Sequence, residues 1–324
     1  MKTTFTELVG IKYPIMQGAM QYMSLAELAA AVSNAGGLGT VPAMAFKDAD
    51  ELRAEIKKMK SLTDKPFAFN ISLVPEVIIP DKIYEYINVI IEEGVKVVET
   101  SGQRPGEFIK PFKEAGVKVI HKVTTVRHAR AAVEDGADAI SIIGTEAGGH
   151  PGSAGVAGHI LWAKAAEELD VPVLAGGGIV DGKSFYMAMS TGVEGVLMGT
   201  RFLATPEVNT SDAYRQAILT VPEYGTVLTM ESLNNAMRVA RNKQAERVLV
   251  KEKEENITFA DLAPLVSGIA SYEAMMEGRL DDAQMSVGQG IGRINKIQTV
   301  EEIFTDLIDG FNKTHDRMTR LTKE

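Results

Sequence analysis

Short β-branched runs alternate along this chain with stretches whose apolar residues recur at helical spacing, and polar or glycine-rich joints separate the two. The runs predict strands at 14–17, 38–41, 67–71, 95–100, 117–122, 139–143, 171–175 and 195–198. The intervening spacing predicts helices at 25–34, 48–60, 81–93, 106–114, 126–134, 156–169, 182–190 and 211–219. Four of these helices are followed by a glycine stop, at Gly36-Gly37, Gly94, Gly116 and Gly136, where a left-handed residue most easily ends a helix before the chain turns back. Units of about 25 residues, repeated eight times, are what an α/β (β/α)8 TIM barrel requires, and that is the fold class expected. A doubly wound α/β sheet gives the same alternation and stands as the alternative.

After Val221-Pro222 the pattern changes. The stretch 225–293 is rich in Glu, Lys, Arg, Asn and Met, with helical runs around 234–253 and 259–277. From 299 to 319, Val300, Ile303, Phe304, Leu307, Ile308 and Phe311 recur at helical spacing. The expected organisation is a barrel over 1–222, a small mainly helical subdomain over 223–293, and a C-terminal helix within 294–324 that packs back on the barrel.

Composition narrows the chemistry. With 324 residues, 45% of them hydrophobic, the chain can bury a large core without a metal or disulfide staple. Its 34 Lys and Arg against 43 Asp and Glu give a formal charge of -9, and no stretch gathers a basic arm, so no nucleic acid is expected as a partner. Cysteine is absent, which excludes disulfides, thiolate metal sites, iron–sulfur clusters and a Cys nucleophile. Redox chemistry would therefore need a bound cofactor. The N-terminal residues contain no apolar signal region and no later window is long and apolar enough to span a bilayer. No membrane association, a cytoplasmic location and a small-molecule substrate are the expectations.

In a barrel the ligands lie at the C-terminal ends of the strands, and phosphate commonly sits at the loops after strands seven and eight. Strand seven ends in Ala175-Gly176-Gly177-Gly178-Ile179, followed by Asp181-Gly182, and strand eight ends in Met198-Gly199-Thr200-Arg201. Glycine lets backbone N–H groups approach phosphate oxygens, and a following helix N-terminus adds a favourable dipole. Gly288-Gln289-Gly290-Ile291-Gly292 looks like a dinucleotide fingerprint but has the wrong spacing and no βαβ context. Gly36-Gly37-Leu38-Gly39 is accounted for by turn geometry. After strand six, Gly144-Thr145-Glu146-Ala147-Gly148-Gly149-His150-Pro151-Gly152 holds a histidine on a glycine-rich loop at the catalytic face, where it can act as acid or base. Glu146 and His150 are not expected to pair on a metal, because Ala-Gly-Gly between them disfavours a helix.

His121 ends strand five, while His128, His159 and His315 are expected in structural or solvated roles. Lys122 ends strand five and faces the barrel mouth; neutralising a reduced cofactor, forming a Schiff base and lying idle at the surface are all open to it. Asn70, at the end of strand three, can hydrogen-bond the edge of a planar ring or simply favour a turn. Pro75 and Pro80 make the next joint long and stiff, as a gate would be. Met20, Tyr22 and Met23 are expected to pack at the rim.

Six motifs in order resemble the nitronate monooxygenase (2-nitropropane dioxygenase) family: Pro14-Ile15-Met16-Gln17-Gly18-Ala19-Met20, Ser33-Asn34-Ala35-Gly36-Gly37-Leu38-Gly39, Pro66-Phe67-Ala68-Phe69-Asn70, Glu146-Ala147-Gly148-Gly149-His150-Pro151-Gly152, Ala175-Gly176-Gly177-Gly178-Ile179 and Gly199-Thr200-Arg201-Phe202. The resemblance spans nearly the whole chain and implies an FMN-binding barrel with a small additional domain. It implies Gly18, Ala19 and Met20 beside the flavin ring, Asn70 on its polar edge and Lys122 near its pyrimidine side. Gly176, Gly177, Gly178, Gly199 and Thr200 would surround the phosphate, and His150 would be the active-site histidine.

Flavin-dependent enoyl-acyl-carrier-protein reductases and NADH:quinone reductases share this scaffold. His150-Pro151-Gly152 looks more like the monooxygenase and quinone-reductase groups. Val119-Ile120-His121-Lys122-Val123-Thr124-Thr125-Val126-Arg127-His128-Ala129 and Arg238-Val239-Ala240-Arg241-Asn242 resemble the quinone-reductase branch. Ser153-Ala154-Gly155 departs from related sequences, which often carry acidic residues there. The leading expectation is FMN-dependent oxidation of alkyl nitronates by O2 to a carbonyl and nitrite. NAD(P)H-dependent reduction of quinones or enoyl thioesters, with NAD(P)H as electron donor, is the alternative, and a homodimer is compatible with either.

Overall fold

The computed structural model describes residues 1–73 and 80–322. Eight strands, β1 (Ile15–Gln17), β2 (Gly39–Pro42), β3 (Phe67–Leu73), β4 (Val97–Gly102), β5 (Lys118–Val123), β6 (Ala139–Ile143), β7 (Val173–Gly176) and β8 (Gly195–Met198), form one sheet in the order β1-β8-β7-β6-β5-β4-β3-β2. Every neighbouring pair is parallel. A parallel bridge from Met16 to Leu38 brings β1 against β2 and closes the barrel. There the Gln17 side chain takes the place of a ladder bond, its Oε1 accepting from the Thr40 N–H at 2.9 Å.

The helices are α1 (Thr4–Val9), α2 (Ala26–Asn34), α3 (Ala49–Leu62), α4 (Pro80–Glu92), α5 (Lys110–Glu114), α6 (Val126–Glu134), α7 (Gly158–Glu168), α8 (Gly182–Met189) and α9 (Asp212–Ile218). The glycine stops behave as the sequence suggests: φ is +98° at Gly36, +67° at Gly94, +72° at Gly116 and +104° at Gly136. Gly39, by contrast, is small for packing, since a Cβ there would lie 1.8 Å from the Ala29 carbonyl oxygen. The joint around Pro75, expected to be stiff, lies outside the described residues.

Alternate strand residues face the axis. Met16, Leu38, Ala68, Val97, Ile120, Ala139 and Leu174 fill the interior together with Phe5 of α1, which is fully buried. α1 is therefore a plug under the barrel, and the sequence reading did not assign it. Above this apolar floor the same inward rows continue with polar residues, among them Thr40, Asn70, Glu99, Lys122 and Ser141.

Beyond α9 one of the expected helical runs needs correcting. The run predicted around 234–253 is split: β9 (Thr226–Thr229) and β10 (Met237–Ala240) form an antiparallel hairpin, and only α10 (Lys243–Lys251) is helical. Tertiary burial decides this, because Val239 is fully buried and bridges to Ser286, while the Asn242 side chain caps α10 by accepting from the Ala245 N–H. The run predicted at 259–277 breaks at Ser267 into α11 (Phe259–Val266) and α12 (Gly268–Met276). Finally α13 (Val300–Leu321) buries Val300, Ile303, Phe304 and Leu307, each burial contributing about 1.5–3 kcal/mol. It crosses α8 closely: a Cβ on Gly182 would lie 2.4 Å from the Gly310 backbone. Among the described residues, no helix is long and apolar enough to cross a membrane.

Candidate active site

The C-terminal ends of the strands open into a cavity of about 560 Å³. Of the residues singled out in the sequence, Gly18, Ala19, Met20, Asn70, Lys122, His150, Gly177, Gly178, Gly199 and Thr200 all lie in its wall. Gly176 does not. It is buried at the end of β7, its carbonyl accepts from the Gly144 N–H at 3.0 Å, and a Cβ would lie 2.6 Å from Ile143 Cγ2, so close packing accounts for this glycine.

One end of the cavity is built from backbone. Gly177 and Gly178 have φ of +103° and +69°, which a side chain would strain. The expected contribution from the α8 N-terminus is already taken: the Asp181 side chain accepts from the Ser184 N–H and pairs with Arg293. Burial pulls the Asp181 carboxyl up, yet these partners leave it below the ordinary carboxylate range. Thr200 Oγ1 accepts from the Gly288 N–H at 2.9 Å, so its own hydroxyl proton is available to a ligand. The Gly288-Gln289-Gly290 segment therefore belongs to the site, as a strap across the loops after β7 and β8. A Cβ on Gly288 would lie 2.7 Å from the Glu146 carbonyl oxygen, and one on Gly290 2.8 Å from Val180 Cγ1. Glycines without a βαβ context were the available signal, since they mark close backbone approach.

The histidine loop is held at both ends. Both Glu146 carboxylate oxygens accept from the Gly158 N–H at 3.0 Å. Gly149 pairs with Arg238 of β10, the Arg238 N–H donating to the Gly149 carbonyl at 2.6 Å. The buried Arg238 guanidinium also donates to the Thr145 carbonyl at 2.9 Å and to Thr226 Oγ1 at 3.0 Å. His150 is exposed on this clamped loop and borders the cavity.

Opposite the glycine end lies a polar layer. Asn70 Nδ2 donates to Glu99 Oε2 at 2.7 Å and to Ser101 Oγ at 3.3 Å, and Lys122 Nζ lies 3.3 Å from the same Glu99 oxygen. Glu99 was not singled out in the sequence, although a carboxylate inside the run Val97-Val98-Glu99-Thr100 is out of place in a buried strand. His121 faces outward, fully buried, with Nδ1 2.8 Å from Thr100 Oγ1. Burial, helped by the positive charge of Lys122, pushes its pKa down to about 4. His128 lies at the cavity edge, whereas His159 and His315 are exposed away from it.

The remaining wall comes from the stretch after β8 where it meets the loop after β1. Tyr22, at φ +62°, packs its ring 5.3 Å from that of Tyr272, and Asn209 Nδ2 donates to both the Tyr22 carbonyl and the Tyr272 hydroxyl. Gln284 is also in the wall, 4% exposed, with neither amide atom partnered within the protein.

A closed parallel barrel whose cavity is assembled from strand-end loops and lined by polar and titratable side chains defines a (β/α)8-barrel enzyme. The sequence profile of the nitronate monooxygenase family matches residues 2–310, and the chain belongs to that family. It is accordingly a flavin-dependent oxidoreductase. It is 38% identical to a (3aS,4S,5R,7aS)-5-hydroxy-7a-methyl-1-oxo-octahydro-1H-indene-4-carboxyl-CoA dehydrogenase of Rhodococcus jostii, over 96% of this chain and 94% of the relative. It is 34% identical to a probable nitronate monooxygenase of Staphylococcus saprophyticus, over 89% and 92% of the two chains. The structure of FabK from Thermotoga maritima matches with a TM-score of 0.91 and 35% identity, covering 99% of both chains.

Proposed function

We propose that this protein uses FMN to move an electron pair to or from acyl thioesters at the carbons next to the thioester carbonyl, with His150 handling the proton. The observation that carries this reading is the one cavity with three different ends: a backbone cradle at Gly177, Gly178, Gly199 and Thr200, a donor and acceptor pair at Lys122 and Asn70, and His150 on a clamped loop. The cradle suits a phosphate, because glycine backbone can approach its oxygens and Thr200 has a proton to donate. The polar layer suits a flavin edge, because Asn70 spends its donors on Glu99 and Ser101 and keeps Oδ1 as an acceptor, while Lys122 donates. FMN, when bound, supplies the redox centre for the electron pair.

The chain's own residues do the rest. Lys122 offers positive charge to the electron-rich edge of the ring. The strap through Gly288 holds Thr200, and the bridge to Arg238 holds the loop from which His150 reaches the substrate. His150 takes a proton from the acidic carbon beside the thioester carbonyl, or returns it in the reverse direction, an effect typically worth about 10²–10⁴-fold. The apolar wall that includes Met237, Val266, Tyr272 and Met275 suits the hydrocarbon part of an acyl thioester, and the similarity to a carboxyl-CoA dehydrogenase over nearly the whole chain favours the same reading. Family membership itself favours oxidation of nitronates as the second reading.

The test uses the flavin-loaded protein under anaerobic conditions. After reduction by NAD(P)H or dithionite, reoxidation by an enoyl thioester, with loss of that reaction in His150→Ala by about 10²–10⁴-fold while flavin stays bound, is the expected outcome. Indifference to thioesters, together with O2-dependent release of nitrite from alkyl nitronates, would replace this reading with the second.

A further inference from the structure

We propose that Glu99 is a positioning residue that orients both Asn70 and Lys122 toward the flavin and, by balancing the Lys122 charge, keeps the site from overstabilising the reduced cofactor. This rests on the FMN reading above.

Glu99 is fully buried in β4. Val97 belongs to the barrel interior and Val98 to the outer core, so alternation turns Glu99 and Ser101 inward with Val97. A carboxylate removed from water costs several kcal/mol unless partners compensate. Here Oε2 carries both partners, Asn70 Nδ2 at 2.7 Å and Lys122 Nζ at 3.3 Å, and Oε1 has none within the protein. Thr40 Oγ1 and Ser141 Oγ, fully buried on inward rows of β2 and β6, are likewise unpartnered. An apolar filling would avoid all of these costs, so the layer is retained for something other than stability.

Two consequences follow from the geometry. A carboxylate only accepts; by engaging the Asn70 amide nitrogen it fixes which way that amide points and leaves Oδ1 for the cavity. Lys122 is fixed in the same way, since the oxygen that holds Asn70 also holds its ammonium. The second consequence is electrostatic. Reduced flavin carries more negative charge than oxidised flavin, and an isolated ammonium beside it would favour the reduced form. Glu99 offsets that ammonium from below the cavity, where low dielectric makes the offset strong.

Glu99→Gln keeps the volume and removes the charge. In the flavin-loaded variant, the ratio of affinities for reduced over oxidised flavin should rise about tenfold, read as a midpoint potential about 30 mV more positive for a two-electron couple. Lys122→Gln should move the potential the other way, and the double variant should lie between the two. Should Glu99→Gln fail to fold beside an unpaired ammonium, the double variant compared with Lys122→Gln carries the test, its potential expected to be the more positive of the two. A purely structural Glu99 would lower the melting temperature and leave the potential where it was. Bound flavin with an unchanged potential in either single variant overturns the role of Glu99, while the cofactor reading stands. A wild-type protein that takes up no FMN, scored by absorbance after desalting, overturns both.

Discussion

Gln284 borders the cavity with a polar side chain whose burial the protein itself does not compensate. Its amide is buried with donor and acceptor both unpartnered within the protein, and each such group costs about 1–3 kcal/mol. Gln284→Leu should therefore be as stable as the parent or more so, while turnover on its substrate falls; thermal melts and steady-state kinetics on the same samples check this. A variant that is less stable with unchanged turnover would make Gln284 a structural residue. At this scale the sequence was readable where a residue type is demanded by local backbone, as at Gly177 and Gly178. It was not readable where a residue type answers to a distant partner. Gly176 sits among those glycines but answers to Ile143, and Glu99 was passed over because its partners lie 29 and 23 residues away in sequence.

Among the elements, β10 matters most to the catalytic loop. Its pairing with Gly149, and the bond from the Arg238 guanidinium to the Thr145 carbonyl, hold the segment that carries His150, while Thr226 Oγ1 of β9 fixes the guanidinium itself. Arg238→Met should lower kcat with flavin still bound and cost about 1–3 kcal/mol of stability through the unpartnered Thr145 carbonyl. Arg238→Lys should recover little, because a single ammonium does not reproduce the guanidinium fork; turnover and denaturant midpoints for the two variants decide. The eight barrel strands were legible because burial on both faces makes short continuous apolar runs. The hairpin was not. Met237-Arg238-Val239-Ala240 carries no strand signature of its own, and the partners that make it a strand, Thr226–Thr229 and Ser286, are supplied by folding.

For the whole molecule, His121 predicts how stability depends on pH. Its folded pKa of about 4 lies below the ordinary histidine value, so the unfolded chain binds the proton more readily and acidification favours unfolding. The contribution is complete above about pH 6.5 and is lost as pH falls toward about 4; between pH 7.5 and 5 the loss is on the order of 2 kcal/mol. Urea unfolding at those two pH values should show it, and His121→Gln should flatten the difference. The sequence by itself determined where the eight barrel strands lie, the glycine turns and the place of the histidine loop, because apolar periodicity and left-handed backbone are written into contiguous residues. Only the tertiary structure decided that α1 plugs the floor, that the strap through Gly288 completes the cradle, and that Asn70, Glu99 and Lys122 share one oxygen. Those features depend on which strands become neighbours and in what register, and sheet closure sets both through contacts between residues far apart in the chain.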